Sequence, residues 1–100
     1  MQFEKKIDRV YFDEVVAGRK TFELRHFEPS EAVPGVGDSI LLRVFDRSTK
    51  TYGGESVLVI VTYRLDDYGP VKLAQNGWVV LGIKPPAAAR EALAFIKKPS

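Results

Sequence analysis

The sequence predicts an α+β domain of about five strands, with one helix after the first strand and a second helix near the C-terminus. Its 100 residues, 45% hydrophobic and 28% charged, are typical of a single globular domain. Hydrophobic residues recur at strand or helix spacing in the order strand, helix, four strands, helix. We therefore expect one domain over 1–84 and a helical extension over 85–100, packed on it or next to it.

The N-terminal segment predicts an edge strand followed by a short helix. Apolar and charged residues alternate over 2–7, which is typical of a strand at the edge of a sheet. Asp8 is a suitable N-cap for a helix over about 9–17, and Gly18 suits the left-handed position that ends a helix. The apolar residues that recur at helical spacing are Tyr11, Phe12, Val15 and Val16.

Four further strands follow, connected by polar segments. They are predicted over 20–25, 39–46, 56–63 and 78–83. Both faces of the strand over 56–63 are apolar, which favours a central position in the sheet. The segments 26–38 and 65–77 contain proline and glycine and are predicted as long loops. Loops of this length in a small domain are candidates for the functional surface.

The C-terminal segment carries the basic charge of the chain. Residues 84–100 hold four bases and one acid, whereas 1–83 hold eleven bases and twelve acids. The formal charge of +2 is therefore no evidence that the predicted domain binds a long phosphate backbone. A helix is predicted over 87–98, and its apolar stripe either packs back on the domain or bridges two chains, so we expect a monomer or a weak homodimer.

Composition excludes several classes of function. The chain has no cysteine and one histidine, His26, so disulfides, thiolate nucleophiles and metal centres rich in cysteine or histidine are excluded. Neither a complete dinucleotide loop nor a Gly-Lys-Ser/Thr motif is present. We expect no metal and no cofactor. Because no apolar run approaches the length that spans a bilayer and no signal peptide is visible, we expect a cytoplasmic protein with no membrane partner.

The most informative stretch is Gly18-Arg19-Lys20-Thr21-Phe22-Glu23-Leu24-Arg25. Two strand residues that are two apart point to the same side, so Glu23 and Arg25 can pair, with Lys20 just before them. One interpretation is a solvent-facing row of ion pairs on an edge strand, which contributes little. The other is a carboxylate and a guanidinium beside a lysine, which can read the polar edge of a base and hold a phosphate.

These residues also carry a family resemblance. Gly18-x-Lys20-x-x-Glu23-x-Arg25 matches the Gly-x-Lys-x-x-Glu-x-Arg signature of the ASCH superfamily, and the chain resembles a small, uncharacterised phage and bacterial branch of it over about 3–84. The resemblance implies a PUA-like fold, a small closed β-barrel with helices packed at its openings. The segments that extend the match, in order, are Tyr11-Phe12, Val36-Gly37-Asp38, 41–46, Tyr52-Gly53, Val61-Thr62-Tyr63 and 77–81.

The resemblance implies a binding function. ASCH and PUA-like domains are similar to RNA-binding modules, and their signature residues line a cleft between helix and barrel. We therefore expect RNA or a modified nucleoside as partner, small or single-stranded. The ligand-binding residues expected on this basis are Lys20, Thr21, Glu23, Arg25, Arg43 and Tyr63. Tyr63 is alternatively a core aromatic whose hydroxyl reaches the rim.

Aromatic residues of the loops and strand ends could supply a stacking platform for a base. They are Tyr52, Tyr68 and Trp78. Trp78 opens the last predicted strand, so the favoured interpretation of this residue is a core position.

Two alternative functions remain. One ASCH group resembles a small amidohydrolase that deacylates N4-acetylcytidine with a lysine, a threonine three residues later and a distal glutamate. Lys20 occupies the lysine position but Glu23 stands at the threonine position, so the candidate catalytic residues are Lys20 and Glu23, with Glu23 shuttling the proton. The other alternative is a protein–protein adaptor of phage or bacterial origin that docks its partner through the C-terminal helix.

Overall fold

The computed structural model describes residues 1–85, and these form a curved sheet with one α-helix packed against it. The helix predicted over 87–98 lies outside the described residues. The elements in chain order are β1 (Gln2–Ile7), α1 (Arg9–Val16), β2 (Phe22–His26), β3 (Ser39–Asp46), β4 (Thr51–Leu65), β5 (Asp67–Tyr68), β6 (Val71–Lys72), a short 3-10 helix (Ala74–Asn76) and β7 (Trp78–Lys84).

Five strands form one mixed sheet in the order β1-β3-β4-β7-β2. β1 runs parallel to β3, and the other neighbouring strands are antiparallel. β4 is central, as its two apolar faces predicted. The expected closed barrel is wrong, because β1 and β2 are the two edges of an open sheet. The gap between these edges is lined by side chains rather than bridged by backbone hydrogen bonds.

Element boundaries follow the predictions most closely where hydrophobic alternation is strong. β3 has the predicted limits, and β7 is one residue longer than predicted. β4 begins five residues earlier than predicted, because it includes part of the polar segment that was expected only to connect it to β3. The loop expected over 65–77 contains the small β5–β6 hairpin and the 3-10 helix.

Helix α1 begins after Asp8 and is followed by a left-handed glycine, as predicted. Asp8 has the extended conformation of an N-cap but makes no side-chain capping bond. Its carboxylate instead accepts a hydrogen bond from Nε of Arg47 at 2.9 Å. Gly18 has a φ of 80°, which only glycine adopts without strain. Phe12 and Val15 are the buried residues of the helix.

The two faces of the sheet differ in burial. The inner face packs under α1 and carries the core, whose buried strand residues are Ile7, Ile40, Leu42, Val44, Val57, Val59, Val61, Val79, Leu81 and Ile83. On β2, Glu23 and Arg25 pair with the buried Leu81 and Val79 and therefore share the inner face. The outer face carries Phe22 and Leu24, both about half exposed.

A β-bulge in β4 determines which face Tyr63 joins. Val61 pairs with the buried Ile83, but Tyr63 then pairs with Gly82, so the register shifts at Thr62. Strict alternation would put Tyr63 on the inner side with Val61, and the extra residue moves it to the outer face. The outer face therefore includes Phe22, Leu24, Tyr63 and Val80, together with the half-buried Leu58, Ile60 and Leu65.

Candidate functional site

A cleft of about 330 Å³ lies between the edge strands β1 and β2. The start of α1 closes one end of it. Its polar lining consists of Lys6, Asp8, Tyr11, Lys20, Glu23, Arg25 and Arg47. Three of the six residues expected at a ligand site, Lys20, Glu23 and Arg25, are thus brought together here.

Glu23 forms the floor of the cleft and is only 3% exposed. Its Oε1 accepts a hydrogen bond from Nζ of Lys20, and its Oε2 accepts one from Nε of Arg25 at 2.6 Å. Both carboxylate oxygens are therefore bound by cations, which is the condition under which a buried carboxylate is tolerated. The interpretation as a solvent-facing row of ion pairs is wrong for Glu23, because the residue lies on the inner face.

The turn after α1 fixes the position of Lys20. Its backbone N–H donates to the carbonyl of Glu14 at 3.0 Å, which ties the residue to the end of the helix. Its Nζ donates to the carbonyl of Phe22 at 2.6 Å as well as to Glu23. The same Nζ lies 5.7 Å from the ring centroid of Tyr11 and 4.9 Å from that of Phe22. The ammonium group is thus oriented by two acceptors and two aromatic rings.

A second depression of about 310 Å³ adjoins the cleft and shares Lys6, Arg25 and Arg47 with it. Nζ of Lys6 lies 4.1 Å from the ring centroid of Phe45. Among residues 1–85, no carboxylate forms a salt bridge with Lys6. Five cationic side chains and three carboxylates line the two depressions together, so the local charge is positive although the domain as a whole is not basic.

The other three expected site residues do not line the cleft. Thr21 is exposed, and its carbonyl accepts a hydrogen bond from the N–H of Ile83 at 2.9 Å. Arg43 lies 3.4 Å from Glu4 and stacks over Tyr52 with its guanidinium carbon 3.9 Å from the ring centroid. Tyr63 is 60% exposed on the outer face, so the alternative interpretation as a core aromatic is wrong.

Sequence reasoning missed Lys6 and Arg47 as parts of this site. Neither belongs to the signature, and they lie on β1 and in the turn after β3, far along the chain from β2. Only the curvature of the sheet brings the two edges together, and no local pattern encodes that curvature. Tyr11 did carry a signal, since it stands in a segment of the family resemblance.

The remaining aromatic candidates lie elsewhere. Trp78 is 41% exposed and packs edge-on against His26 with ring centroids 5.2 Å apart. The core interpretation of Trp78 is therefore wrong. Within residues 1–85 no cluster of histidine and acidic residues has the arrangement that holds a metal ion.

Comparison with known families places the chain in one of them. A family model described as a domain of unknown function (DUF3850) matches residues 3–83. The chain belongs to this family. The match covers the cleft and all of the sheet except Gln2 and Lys84, so the architecture described above is that of a DUF3850 domain. No curated protein matches the sequence.

A solved structure resembles the DUF3850 domain in fold. The structure is titled "Crystal structure of hypothetical protein PH0355", and it matches with a TM-score of 0.59 and 16% sequence identity, covering 86% of this chain and 100% of that one. At this identity the likeness shows the fold alone. The ASCH and PUA-like relationship stays a prediction. In the described part of the domain, no helix has the length and hydrophobicity needed to cross a membrane.

Proposed function

We propose that this DUF3850 domain is a binding module whose cleft takes up a nucleoside or nucleotide, alone or within a short single-stranded RNA. The observation that carries the proposal is the buried Glu23 carboxylate held between Lys20 and Arg25 at the cleft floor. A buried ion pair contributes little net stability because desolvation offsets the attraction. Preoriented polar groups in a pocket, by contrast, fix the orientation of a ligand.

Both cations keep donors that Glu23 does not use. An ammonium group has three N–H donors, and Lys20 gives two of them to Phe22 and Glu23. Arg25 bonds Glu23 through Nε and Nη2, which leaves Nη1 for another acceptor. A carbonyl or ring nitrogen on the edge of a base is an acceptor of this kind.

Aromatic and cationic groups around this pair suit the remaining parts of a nucleotide. Tyr11 is half exposed beside Lys20 and offers a ring face on which a base can stack. Lys6 and Arg47 lie between the cleft and the adjoining depression, where a phosphate would meet two cations. The resemblance of the signature to ASCH domains, which are similar to RNA-binding modules, supports the same class of ligand.

The size of the site favours a small ligand. Ligand pockets usually measure roughly 300–1,000 Å³, and each of the two depressions lies at the lower end of that range. This volume suits one nucleotide with its phosphate. A duplex would need a longer basic surface than one cleft provides.

Titration of the ¹⁵N-labelled protein with nucleosides, their 5′-monophosphates and a short single-stranded RNA tests the proposal. We expect shifts at the amides of 20–25 and at Lys6. Monophosphates should bind about tenfold more tightly than nucleosides, the effect of one charge-assisted contact of roughly 1.4 kcal/mol. The Lys6→Ala variant should lose this preference for monophosphates but keep nucleoside binding.

Two further variants complete the test. Lys20→Ala should abolish binding, while Lys72→Ala, an exposed lysine on β6, should bind as the wild type does. No shift near 18–25 with any ligand would refute the proposal, as would an equal loss of binding in Lys72→Ala. Incubation with N4-acetylcytidine provides the last arm. Release of acetate by the wild type but not by Lys20→Ala would replace binding with deacylation.

A further inference from the structure

The second depression, which adjoins the cleft, carries a larger excess of positive charge than the cleft does. Its lining consists of Glu4, Lys5, Lys6, Arg25, Arg47 and Tyr52. Four cations therefore face one carboxylate there, whereas the cleft has four cations and two carboxylates. Such an excess at a concave surface concentrates anions of more than one charge.

Two of these cations keep donors that an anion can use. Arg47 donates to Asp8 through Nε at 2.9 Å, and no other described residue accepts from its two terminal nitrogens. The ammonium of Lys6 has no carboxylate partner among residues 1–85. The paired nitrogens of a guanidinium match two oxygens of one phosphate. A phosphate can therefore bind here without first breaking an ion pair.

Three shared cations connect the second depression to the cleft. They are Lys6, Arg25 and Arg47. Arg25 is held by Glu23 at the cleft floor through Nε at 2.6 Å. The second depression, at about 310 Å³, is nearly as large as the cleft, so it has room beyond a single phosphate. Phosphates attached to a nucleoside in the cleft would extend past these cations into it.

The aromatic ring of the second depression already has close neighbours. The guanidinium carbon of Arg43 lies 3.9 Å from the ring centroid of Tyr52. The ring of Phe45 packs edge-on against Tyr52 with centroids 5.0 Å apart, and Nζ of Lys6 lies 5.9 Å from the Tyr52 centroid. A second base would need an uncovered ring face on which to stack. The ring instead supports cations, so the lining suits phosphates better than a second base.

We propose that the site binds a nucleoside 5′-diphosphate or 5′-triphosphate, free or at the 5′ end of an RNA, with the phosphates beyond the first in the second depression. The first phosphate meets Lys6, and the next meets the terminal nitrogens of Arg47. This inference rests on the proposed function, because the cleft must hold the nucleoside. It adds that the site recognises a chain of phosphates.

Calorimetric titration with the 5′-mono-, di- and triphosphates of the four ribonucleosides tests the inference. EDTA is present, so that only the cations of the protein neutralise the phosphates. We expect the diphosphate to bind about tenfold more tightly than the monophosphate of the same nucleoside, the effect of one more charge-assisted contact. A short RNA with a 5′-diphosphate should likewise exceed its 5′-monophosphate form, and the tighter of the two diphosphate probes identifies the source of the phosphates.

Variants of the second depression should change this preference specifically. Arg47→Gln should reduce the affinity for the diphosphate to that for the monophosphate. Arg64→Gln is the matched control, because Arg64 also donates to a carboxylate through Nε, that of Asp66 at 2.8 Å, but lines neither depression. It should keep the tenfold preference. Glu4→Gln removes the carboxylate of the second depression and should raise the affinity for the diphosphate about twofold.

Four results would overturn the inference. Equal binding of mono- and diphosphates by the wild type would remove the chain of phosphates and leave the proposed function intact. Tighter binding of a dinucleoside monophosphate than of the diphosphate would mean that the second depression holds a second nucleotide. An equal loss of preference in Arg47→Gln and Arg64→Gln would mean that overall charge causes it. No binding of any ligand would refute the proposed function as well.

Discussion

Among the described residues, Glu23 is the charged residue that is buried. It is nearly fully buried, and each of its carboxylate oxygens faces a different cation. Removing its charge leaves the ammonium of Lys20 and the guanidinium of Arg25 close together without a counter-charge. Such a change is more disruptive than replacing all three groups at once would be.

We expect Glu23→Gln to lower the free energy of unfolding by about 3 kcal/mol, the typical effect of breaking a buried ion pair from one side. Chemical denaturation measured by fluorescence of the single tryptophan would quantify the change. Glu14→Gln is the matched control, because Glu14 binds Arg19 at 2.6 Å on the exposed surface. Its effect should be much smaller than that of Glu23→Gln, because a solvent-exposed ion pair contributes little to stability. Equal effects of the two substitutions would contradict the structural role assigned to Glu23.

At the residue scale, the sequence predicted that Glu23 and Arg25 lie together but not that Glu23 is buried. The spacing of Glu23 and Arg25 put them on one face of a strand, and the structure confirms it. Period-two alternation nevertheless favours the apolar Phe22 and Leu24 as core residues, whereas both are exposed. The burial of Glu23 in place of Phe22 and Leu24 was not predictable from the sequence. A carboxylate can be buried only beside cations that compensate its charge, and the fold alone shows that Lys20 packs against it.

At the scale of single elements, the bulge in β4 controls both faces of the sheet near its end. Thr62 is the extra residue, and Gly82 on β7 lies directly beside it. A Cβ atom added at Gly82 would lie 2.9 Å from Oγ1 of Thr62 and 3.2 Å from Cβ of Tyr63. The glycine therefore provides the space that the bulge needs.

We expect Gly82→Ala to destabilise the domain by about 1–2 kcal/mol, because overpacking outweighs the gain from a less flexible unfolded chain. Thermal and denaturant unfolding would measure it. Gly35→Ala is the control, since a Cβ there meets only Oδ2 of Asp38 at 3.9 Å. That variant should be unchanged or slightly more stable. A Gly82→Ala protein as stable as Gly35→Ala would show that the bulge can relax.

Strong alternation made β3, β4 and β7 predictable as elements, and the apolar character of both faces made β4 predictable as the central strand. The bulge was not predictable, since Thr62 and Tyr63 suit a regular strand equally well. Tyr63 was expected at the cleft from the family resemblance, and the bulge puts it on the outer face instead. The β5–β6 hairpin was missed because its strands have two residues each, too few to show a period.

On the scale of the whole molecule, the cleft exists because the sheet stays open. A closed barrel would pair β1 with β2 and consume the space where Lys6 and Arg47 approach Arg25. Composition and periodicity determine which strands exist, but closure depends on the cumulative twist and on the side chains between the edges. The five strands of the sheet were predicted correctly, but the prediction that they close into a barrel was wrong.

Several exposed acidic groups of the domain have a pKa that their hydrogen bonds lower, and we expect them to make its stability sensitive to acid. The pKa of Asp46 is lowered by hydrogen bonds from the hydroxyl and then the backbone N–H of Ser48. The pKa of Glu31 is lowered chiefly by the N–H of Glu28, and that of Asp38 chiefly by the N–H of Gly35. Arg9 lowers the pKa of Glu55 in the same way.

Each of these carboxyl groups binds its proton more weakly in the folded than in the unfolded chain, so the unfolded state takes up more protons as acid is added. Their stabilising effect is fully present above the ordinary pKa values of 3.8 for aspartate and 4.5 for glutamate and is lost as the pH falls through the lower folded values. We therefore expect the urea midpoint to be constant from pH 7 to about pH 5.5, where all these groups are ionised in both states, and to fall below about pH 4.5.

Asp46→Asn keeps the shape of the side chain but cannot ionise, so its midpoint should lie below that of the wild type at pH 7, and the difference should close towards pH 3. A difference that persists unchanged into acid would mean that the hydrogen bonds from Ser48 and Thr49 do not favour the ionised form, and that the acid response arises elsewhere in the domain.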